Sequence, residues 1–208
     1  MRRLFAVAVL FVATVALSLT APAAYAYPPT PPSEATARSQ LSALTVRAEG
    51  SSTGYSRDLF PHWSTVSGTC DTRDQVLKRD GTGVTVDSGC EPTGGRWYSV
   101  YDGVWVEDDS LVDIDHIVPL AEAWRSGANT WTTSRRQQFA NDLTRAQLIA
   151  VTASSNRSKG DRDPAAWKPT STSVHCIYAR EWIWVKSYYG LSLQSAEKTA
   201  LTTMLDAC

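Results

Sequence analysis

The sequence is poor in the residues on which several enzyme classes depend. It has four cysteines without a C-x-x-C pair, three histidines and no G-x-S-x-G segment. A zinc site built from cysteines and a serine hydrolase with a nucleophile elbow are both disfavoured. Because four cysteines can pair evenly, a cysteine hydrolase with a free thiol nucleophile is a poor interpretation as well.

The chain also lacks a net positive charge and a membrane-spanning apolar run. A basic start at residues 1–3, an apolar stretch over 4–19 and small residues at 24–26 are typical of a secretory signal peptide. A membrane anchor is the alternative, but the apolar stretch is slightly short for a span. We therefore predict that residues 1–26 are removed and that the protein is secreted, monomeric and free of the membrane.

The formal net charge is −1, and the signal peptide takes away two arginines but no acidic residue. The mature chain is therefore slightly more acidic than the whole. Any binding to nucleic acid must come from a local basic patch and a metal ion, because net charge does not attract phosphate here.

All four cysteines follow the predicted signal peptide, and an exported chain meets an oxidising environment, so two disulfides are expected. Four cysteines allow three pairings. We favour Cys70–Cys90 and Cys176–Cys208, because each closes a loop of modest length on one side of the polar segments described below.

We predict a Pro-rich linker and an N-terminal helix over residues 27–50, followed by one domain over 51–208. The linker is expected to be disordered or extended, and the helical pattern runs from Glu34 to Arg47. The elements predicted in the domain are a strand over 84–86, a hairpin of strands over 96–101 and 104–106, a strand over 111–120, a helix over 121–126, a helix from Thr132 or Thr133 to Leu143, a strand or helix over 146–151, and helices over 174–189 and 195–206.

A carboxylate stands directly beside one of the three histidines, Asp115 before His116. A hard divalent cation prefers oxygen ligands such as Asp115, and a neutral His116 can take a proton from water near neutral pH. Neighbours in an ideal strand face opposite sides, so the chain is expected to bend here, near a strand end marked by Pro119. A structural Asp–His pair explains the dipeptide equally well.

Two later segments add amides and cations. Asn141 follows a helical run, where asparagine commonly caps a helix or pins a loop. Asn156 precedes Arg157 and Lys159, which are suited to holding a phosphate. Taken alone, that last segment is better interpreted as a solvated basic loop. His62 and His175 are expected to be structural, with His62 a candidate for lining the cleft.

The order of these residues resembles that of the HNH nucleases. It is more similar to the HNH-related family found at the C-terminus of GmrSD-type modification-dependent restriction enzymes, which includes free-standing exported proteins of actinobacteria. The resemblance covers roughly Tyr55 to Pro169. Its matching stretches are Asp115–Leu120, Ala123–Ala128, Phe139–Leu143 and Asn156–Asp161 with Pro164 and Trp167, and upstream Cys70–Arg73 and Tyr101–Gly103.

The resemblance implies a fold and an activity. The fold would be α+β, a single domain with a ββα-metal (HNH-like) catalytic core, a flanking hairpin and C-terminal helices. The activity would be endonucleolytic hydrolysis of phosphodiester bonds, with DNA as the expected substrate and RNA as the second candidate. One Mg²⁺ or Mn²⁺ ion would serve as cofactor, since the implied ligands are oxygens.

The resemblance also assigns roles to single residues. Asn156 departs from the wider superfamily, which often has histidine at that position. The implied roles are general base for His116, metal ligands for Asp115 and Asn156, orientation of the His-bearing loop for Asn141, phosphate contacts for Arg157 and Lys159, and reserve ligands for Asp113 and Asp142.

A different class of protein competes with this interpretation. This alternative is a non-catalytic exported module that binds nucleic acid or polysaccharide through its tryptophan side chains. It would need no Asp–His pair, and a chelator would leave its binding unchanged.

Overall fold

A computed structural model describes residues 28–208, so the predicted signal peptide lies outside the described residues. Disulfides join Cys70 to Cys90 and Cys176 to Cys208, which confirms the predicted pairing. Helices and strands mix in a single small domain, as expected for an α+β chain. Within residues 28–208, every helix is too short or too polar to cross a membrane.

The helices and strands alternate along the chain. The helices are α1 (Glu34–Ala43), α2 (Thr72–Asp80), α3 (Leu120–Arg125), α4 (Thr133–Ala140), α5 (Ala153–Lys159), α6 (His175–Tyr189) and α7 (Ser195–Leu205). The strands are β1 (Thr65–Ser67), β2 (Cys70–Asp71), β3 (Gly81–Val86), β4 (Pro92–Ser99), β5 (Val104–Val106), β6 (Val112–His116) and β7 (Leu148–Thr152). Antiparallel pairing joins β1 to β2, β3 to β4 to β5, and β6 to β7.

Strand β6 stays regular up to its last residue. His116 pairs with Leu148, and the N–H of Ile117 still donates to the chain just before β7. The bend predicted between Asp115 and His116 is therefore wrong, and the two side chains keep the opposite orientations of strand neighbours. The strand is shorter than predicted because Pro119 already serves as the N-cap of α3.

Helix α5 follows β7 directly and covers one face of β6. The hydroxyl of Thr152 caps the helix by accepting a backbone N–H of its first turn. Asn156 contacts Asp113, and Lys159 contacts Asp115. Two residues on one side of the helix, three positions apart, thus contact two residues on one face of the strand, two positions apart. Helix α5 therefore packs on the face of β6 that carries Asp113 and Asp115. The solvated loop considered for this segment is a helix instead.

Helix α2 lies in a stretch for which the sequence analysis predicted no element. Asp71 accepts the N–H of Asp74, and the Asp74 side chain accepts the N–H of Asp71, which is a complete capping box. Val76 and Leu77 are fully buried on its inner face. The capping box was readable in the sequence, but the apolar pattern was too short to reveal the helix.

The N-terminal helix is shorter than predicted and packs on the domain. Beyond α1 the chain extends, and Val46 forms a parallel bridge with Leu193. The Arg180 guanidinium donates to the carbonyl oxygens of Pro31 and Pro32. The Pro-rich segment is therefore held against α6 at this point.

The strand pair β6–β7 separates two apolar clusters. Ile149 and Val151 of β7 belong to the larger cluster, which lies under α1, α4, α6 and α7, whereas Leu148 and Ala150 belong to the smaller cluster under α2. Alternate residues of one strand thus enter opposite clusters. A strand buried on both faces is a rigid support for the residues at its end.

A buried lysine ties three helices together. Lys186 has no exposed surface, and its Nζ lies 2.8 Å from Glu122 Oε1 and 2.6 Å from Glu197 Oε1. It also donates to the Ser192 carbonyl at 2.9 Å. This network joins α3, which follows the Asp115–His116 segment, to α6 and α7.

We predict that Lys186→Met lowers the free energy of unfolding by about 3–5 kcal/mol, because it leaves the buried carboxylate of Glu197 without a counter-charge and that of Glu122 with Arg125 alone. Urea unfolding with the disulfides intact measures the loss. Lys78→Met, at an exposed position of α2, is the matched control and should change stability by less than about 0.5 kcal/mol. Equal unfolding midpoints for the two variants would contradict the role of the network.

Candidate active site

A cleft of about 250 Å³ opens where β6 ends. Four of the predicted site residues share it, namely Asp115, His116, Asn156 and Arg157. The remaining lining residues are Tyr55, Arg57, Ile114, Pro119, Leu120, Ala121, Gly160 and Asp161. Because the cleft runs past the strand end, neighbours with opposite orientations both reach it.

His116 is held from two sides. Its Nε2 lies 3.0 Å from the carbonyl oxygen of Ala140, and its ring stacks on Trp63 with 5.7 Å between centroids. A carbonyl oxygen only accepts, so Nε2 carries the proton and Nδ1 keeps a lone pair. Nδ1 has no hydrogen-bond partner among residues 28–208. It is therefore the nitrogen that remains to accept a proton.

The imidazole is also kept neutral. Burial lowers the pKa of His116 to about 3, and the hydrogen bond to the Ala140 carbonyl opposes that shift only in part. A neutral ring at ordinary pH is the form in which Nδ1 accepts a proton.

Lys159 is not the phosphate contact that the resemblance implied. The side chain has no exposed surface, and its Nζ donates to Asp115 Oδ1 at 2.8 Å, to Asp115 Oδ2 at 2.7 Å and to the His116 carbonyl at 2.8 Å. Three acceptors use all three N–H groups of the ammonium. As folded here, Lys159 is a buried anchor without access to a phosphate.

Asp115 is bound on both carboxylate oxygens. Besides Lys159, the hydroxyl of Tyr101 donates to Oδ2 at 2.6 Å. Burial raises the pKa of the Asp115 carboxyl, and the Lys159 ammonium opposes the rise. Burial likewise raises the pKa of Tyr101 well above its usual value, so this hydroxyl stays a donor. Tyr101 lay within a matching stretch of the sequence, yet nothing there marked it as a partner of Asp115.

Asn156 lines the cleft and is held there by its amide nitrogen. Its Nδ2 donates to Asp113 Oδ2 at 3.0 Å, and Oδ1 has no hydrogen-bond partner in the described part of the chain. Arg157 Nε lies 3.4 Å from the same Asp113 oxygen, with its side chain 73% exposed. Asp113, a predicted reserve ligand, thus orients Asn156 and leaves Arg157 accessible.

Asn141 pins a different loop from the one predicted. Its Oδ1 accepts the N–H of Ser64 at 2.8 Å, and its Nδ2 donates to the Pro61 carbonyl at 2.8 Å. The loop between these residues carries Trp63, which stacks on His116. Asn141 therefore supports the imidazole through Trp63, and its side-chain hydrogen bonds go to Pro61, Ser64 and Gln137 and not to the loop that bears His116.

Two other candidates lie away from the cleft. The Asp142 carboxylate accepts from the Arg145 guanidinium at 3.0 Å and from the Tyr189 hydroxyl at 2.8 Å, so this reserve ligand holds the turn after α4. His175 Nε2 bonds the Pro169 carbonyl at 2.9 Å. The hydrogen bonds of Asp142 and His175 thus hold the fold together, and neither side chain belongs to the cleft.

Arg57 is a cleft residue that the sequence analysis missed. It is exposed, and its Nε donates to His62 Nε2 at 3.3 Å. His62 in turn bonds the Phe60 carbonyl at 2.9 Å through Nδ1. His62 therefore contacts Arg57 without lining the cleft itself. No local motif signalled that Arg57 would line the same cleft as His116.

The family described as "GmrSD restriction endonucleases, C-terminal domain" matches residues 71–204. The chain belongs to this family. The match confirms the predicted resemblance and includes the cleft residues from β6, α3 and α5. Tyr55 and Arg57 lie before the matched GmrSD C-terminal region.

A relative of this GmrSD C-terminal family member is a protein of Arthroderma benhamiae named "Uncharacterized secreted protein". It is 58% identical over 190 residues, which cover 91% of this chain and 93% of the relative. No solved structure matches the chain. The two disulfides found here are consistent with an extracellular location.

The acceptor atoms around Lys159 are all oxygens, which are the atoms that bind hard cations. Within residues 28–208, three or more His, Cys, Asp or Glu side chains never gather into a metal-binding group. Both oxygens of Asp115 and the carbonyl of His116 nevertheless surround the Lys159 ammonium, and Asn156 lies one turn earlier on α5. An all-oxygen donor set of this kind suits Mg²⁺ or Mn²⁺, and here it binds the Lys159 ammonium.

The lowered pKa of His116 predicts its titration behaviour. The ring should stay neutral from about pH 8 to about pH 5 in the folded protein, while urea-unfolded protein should titrate at about 6.5. Histidine ring NMR signals measure both, and His116→Asn assigns the signal. Because the folded pKa lies below the unfolded one, His116 stabilises the fold fully above the unfolded value and loses that contribution as pH falls toward 3. A folded midpoint near 6.5 would contradict the burial.

Proposed function

We propose that this GmrSD C-terminal family member is a secreted nuclease that hydrolyses phosphodiester bonds with His116 as general base. The observation that carries the proposal is the orientation of the neutral imidazole, whose Nε2 is bound to the Ala140 carbonyl and whose Nδ1 is left without a partner at the cleft. Family membership supports nuclease chemistry, and the relative's printed name supports export. DNA is the substrate we expect first, and RNA second.

The chain's own residues perform the proton transfer. Nδ1 of His116 accepts a proton from a water molecule as the water oxygen forms a bond to phosphorus and the leaving oxygen departs with the electron pair of its broken bond. The Ala140 carbonyl stabilises the imidazolium through Nε2–H. Arg57 and Arg157 lie at the cleft and are exposed, so their guanidinium groups can hold the phosphate.

We assign Asp115 and Asn156 to the divalent cation, with Asp113 as the positioning residue for Asn156. When bound, such an ion would supply positive charge that stabilises the phosphate and the leaving oxygen. Lys159 binds both oxygens of Asp115, so its ammonium and a divalent cation compete for that carboxylate. The succession of β6, β7 and α5 supports the proposal that these elements are the ββα-metal core.

The general-base assignment predicts a loss of turnover without a loss of metal. His116→Ala should lower the cleavage rate by about 10²–10⁴-fold, while Mn²⁺ still binds in calorimetry. His175→Ala removes a histidine outside the cleft and should keep the rate. Plasmid, linear duplex, single strands and RNA are each incubated with Mg²⁺ or Mn²⁺, and with EDTA.

The outcomes of this experiment test the metal, the general base and the alternative of a non-catalytic binding module separately. Full activity in EDTA would remove the metal from the proposal, and full activity of His116→Ala would remove the base. Binding of nucleic acid that persists in EDTA, without cleavage under any condition, would indicate a non-catalytic binding module.

Competition for Asp115 predicts that Lys159→Met tightens Mn²⁺ binding. Unit charges about 4 Å apart interact by about 4 kcal/mol at an effective dielectric constant of about 20. Because about 1.4 kcal/mol is tenfold in affinity, the dissociation constant should fall by about 10²–10³-fold. Isothermal titration measures it, with Lys168→Met at an exposed position as the control. Asp115→Asn should bind Mn²⁺ more weakly than the wild type. An unchanged Mn²⁺ affinity in Lys159→Met, with only a loss of stability, would show that Lys159 is purely an anchor.

A further inference from the structure

An apolar cavity of about 590 Å³ adjoins the cleft. Six large hydrophobic side chains are exposed in the described residues, and three of them line this cavity: Val104 at 45%, Trp105 at 37% and Leu111 at 57%. Exposed apolar groups that converge on one concave surface mark a site of interaction. The cavity has no role in the proton transfer described above.

Arg157 joins the cavity to the cleft, because it lines both. Its side chain is 73% exposed. A phosphodiester held by Arg157 beside His116 therefore brings the adjoining nucleoside to the mouth of the cavity. The cavity is thus placed as a subsite of the same substrate.

The charges around the cavity select which part of that nucleoside enters. Glu107 and Asp108 line it and are exposed, so they repel a phosphate. An apolar wall with carboxylates beside it accommodates a flat neutral ring, and a carboxylate accepts hydrogen bonds from the amino groups of bases. Trp105 is fixed in this wall, with Arg96 over its ring at 4.5 Å and Tyr98 packed against it at 5.3 Å.

We propose that this cavity binds an unpaired nucleobase next to the phosphodiester in the cleft, an inference that rests on the proposed nuclease function. A base inside a duplex is stacked and paired, and extruding it costs free energy. The substrate favoured by this geometry is therefore single-stranded or locally opened nucleic acid.

Binding without cleavage tests the proposal. The mature chain carrying His116→Ala is titrated with three fluorescent probes: a single-stranded oligodeoxynucleotide, the same length of fully abasic strand, and the matching duplex. Leu111→Ser and Val104→Ser are added singly to this background. The matched control is Val46→Ser, because Val46 is 42% exposed beside Leu193 and lines neither the cleft nor the cavity.

We expect Leu111→Ser to raise the dissociation constant for the single strand by about tenfold, the scale of one stacked base, and Val46→Ser to leave it unchanged. The abasic strand should bind the parent more weakly and lose nothing further in Leu111→Ser, because the lost contact is the same one. The duplex should bind more weakly than the single strand.

Three results would overturn the inference. They are equal affinities of Leu111→Ser and Val46→Ser for the single strand, an equal loss with the abasic strand, and a duplex that binds as tightly as the single strand. If the binding data follow the expected pattern but the wild-type protein cleaves no substrate, the nucleobase site is supported and only the proposed hydrolytic activity is wrong.

Discussion

The buried ammonium of Lys159 sets the geometry of the candidate site. A charge without solvent must be fully hydrogen-bonded, and its three acceptors all come from Asp115 and His116 of β6. Satisfying Lys159 therefore fixes α5 against β6. Asn156 and Arg157, which precede it on α5, are carried to the cleft by the same constraint. Tyr101 completes the arrangement by donating a further hydrogen bond to Asp115 Oδ2.

The proposed proton acceptor and the proposed cation ligand Asp115 are supported by different parts of the molecule. His116 is held by the Ala140 carbonyl and by Trp63, which Asn141 keeps in place, whereas Asp115 is held from α5. This separation follows from the alternation of a regular strand. A change on one face therefore need not disturb the other, although both faces meet where the strand ends.

Much of the local structure could be predicted from residue patterns. The hairpin of β4 and β5 followed from aromatic and β-branched runs around Asp102-Gly103, and the end of α6 followed from Gly190, whose φ of 68° suits glycine. Both disulfides followed from cysteine spacing in an exported chain. The helices α2 and α5 were missed because they are short and carry few apolar residues, so their stability comes from capping and from contacts with distant strands.

The sequence by itself determined the kinds of chemistry available: one histidine beside a carboxylate, amides and cations in a fixed order, and a family that this order resembles. Only the tertiary structure decided what each group does. Lys159 meets Asp115 across 44 positions and Asn141 meets Ser64 across 77 positions. Burial and partners at such separations depend on how the whole core packs, because solvent exclusion is a property of the assembled fold. A short motif can specify a lysine, but only the fold makes it a buried anchor.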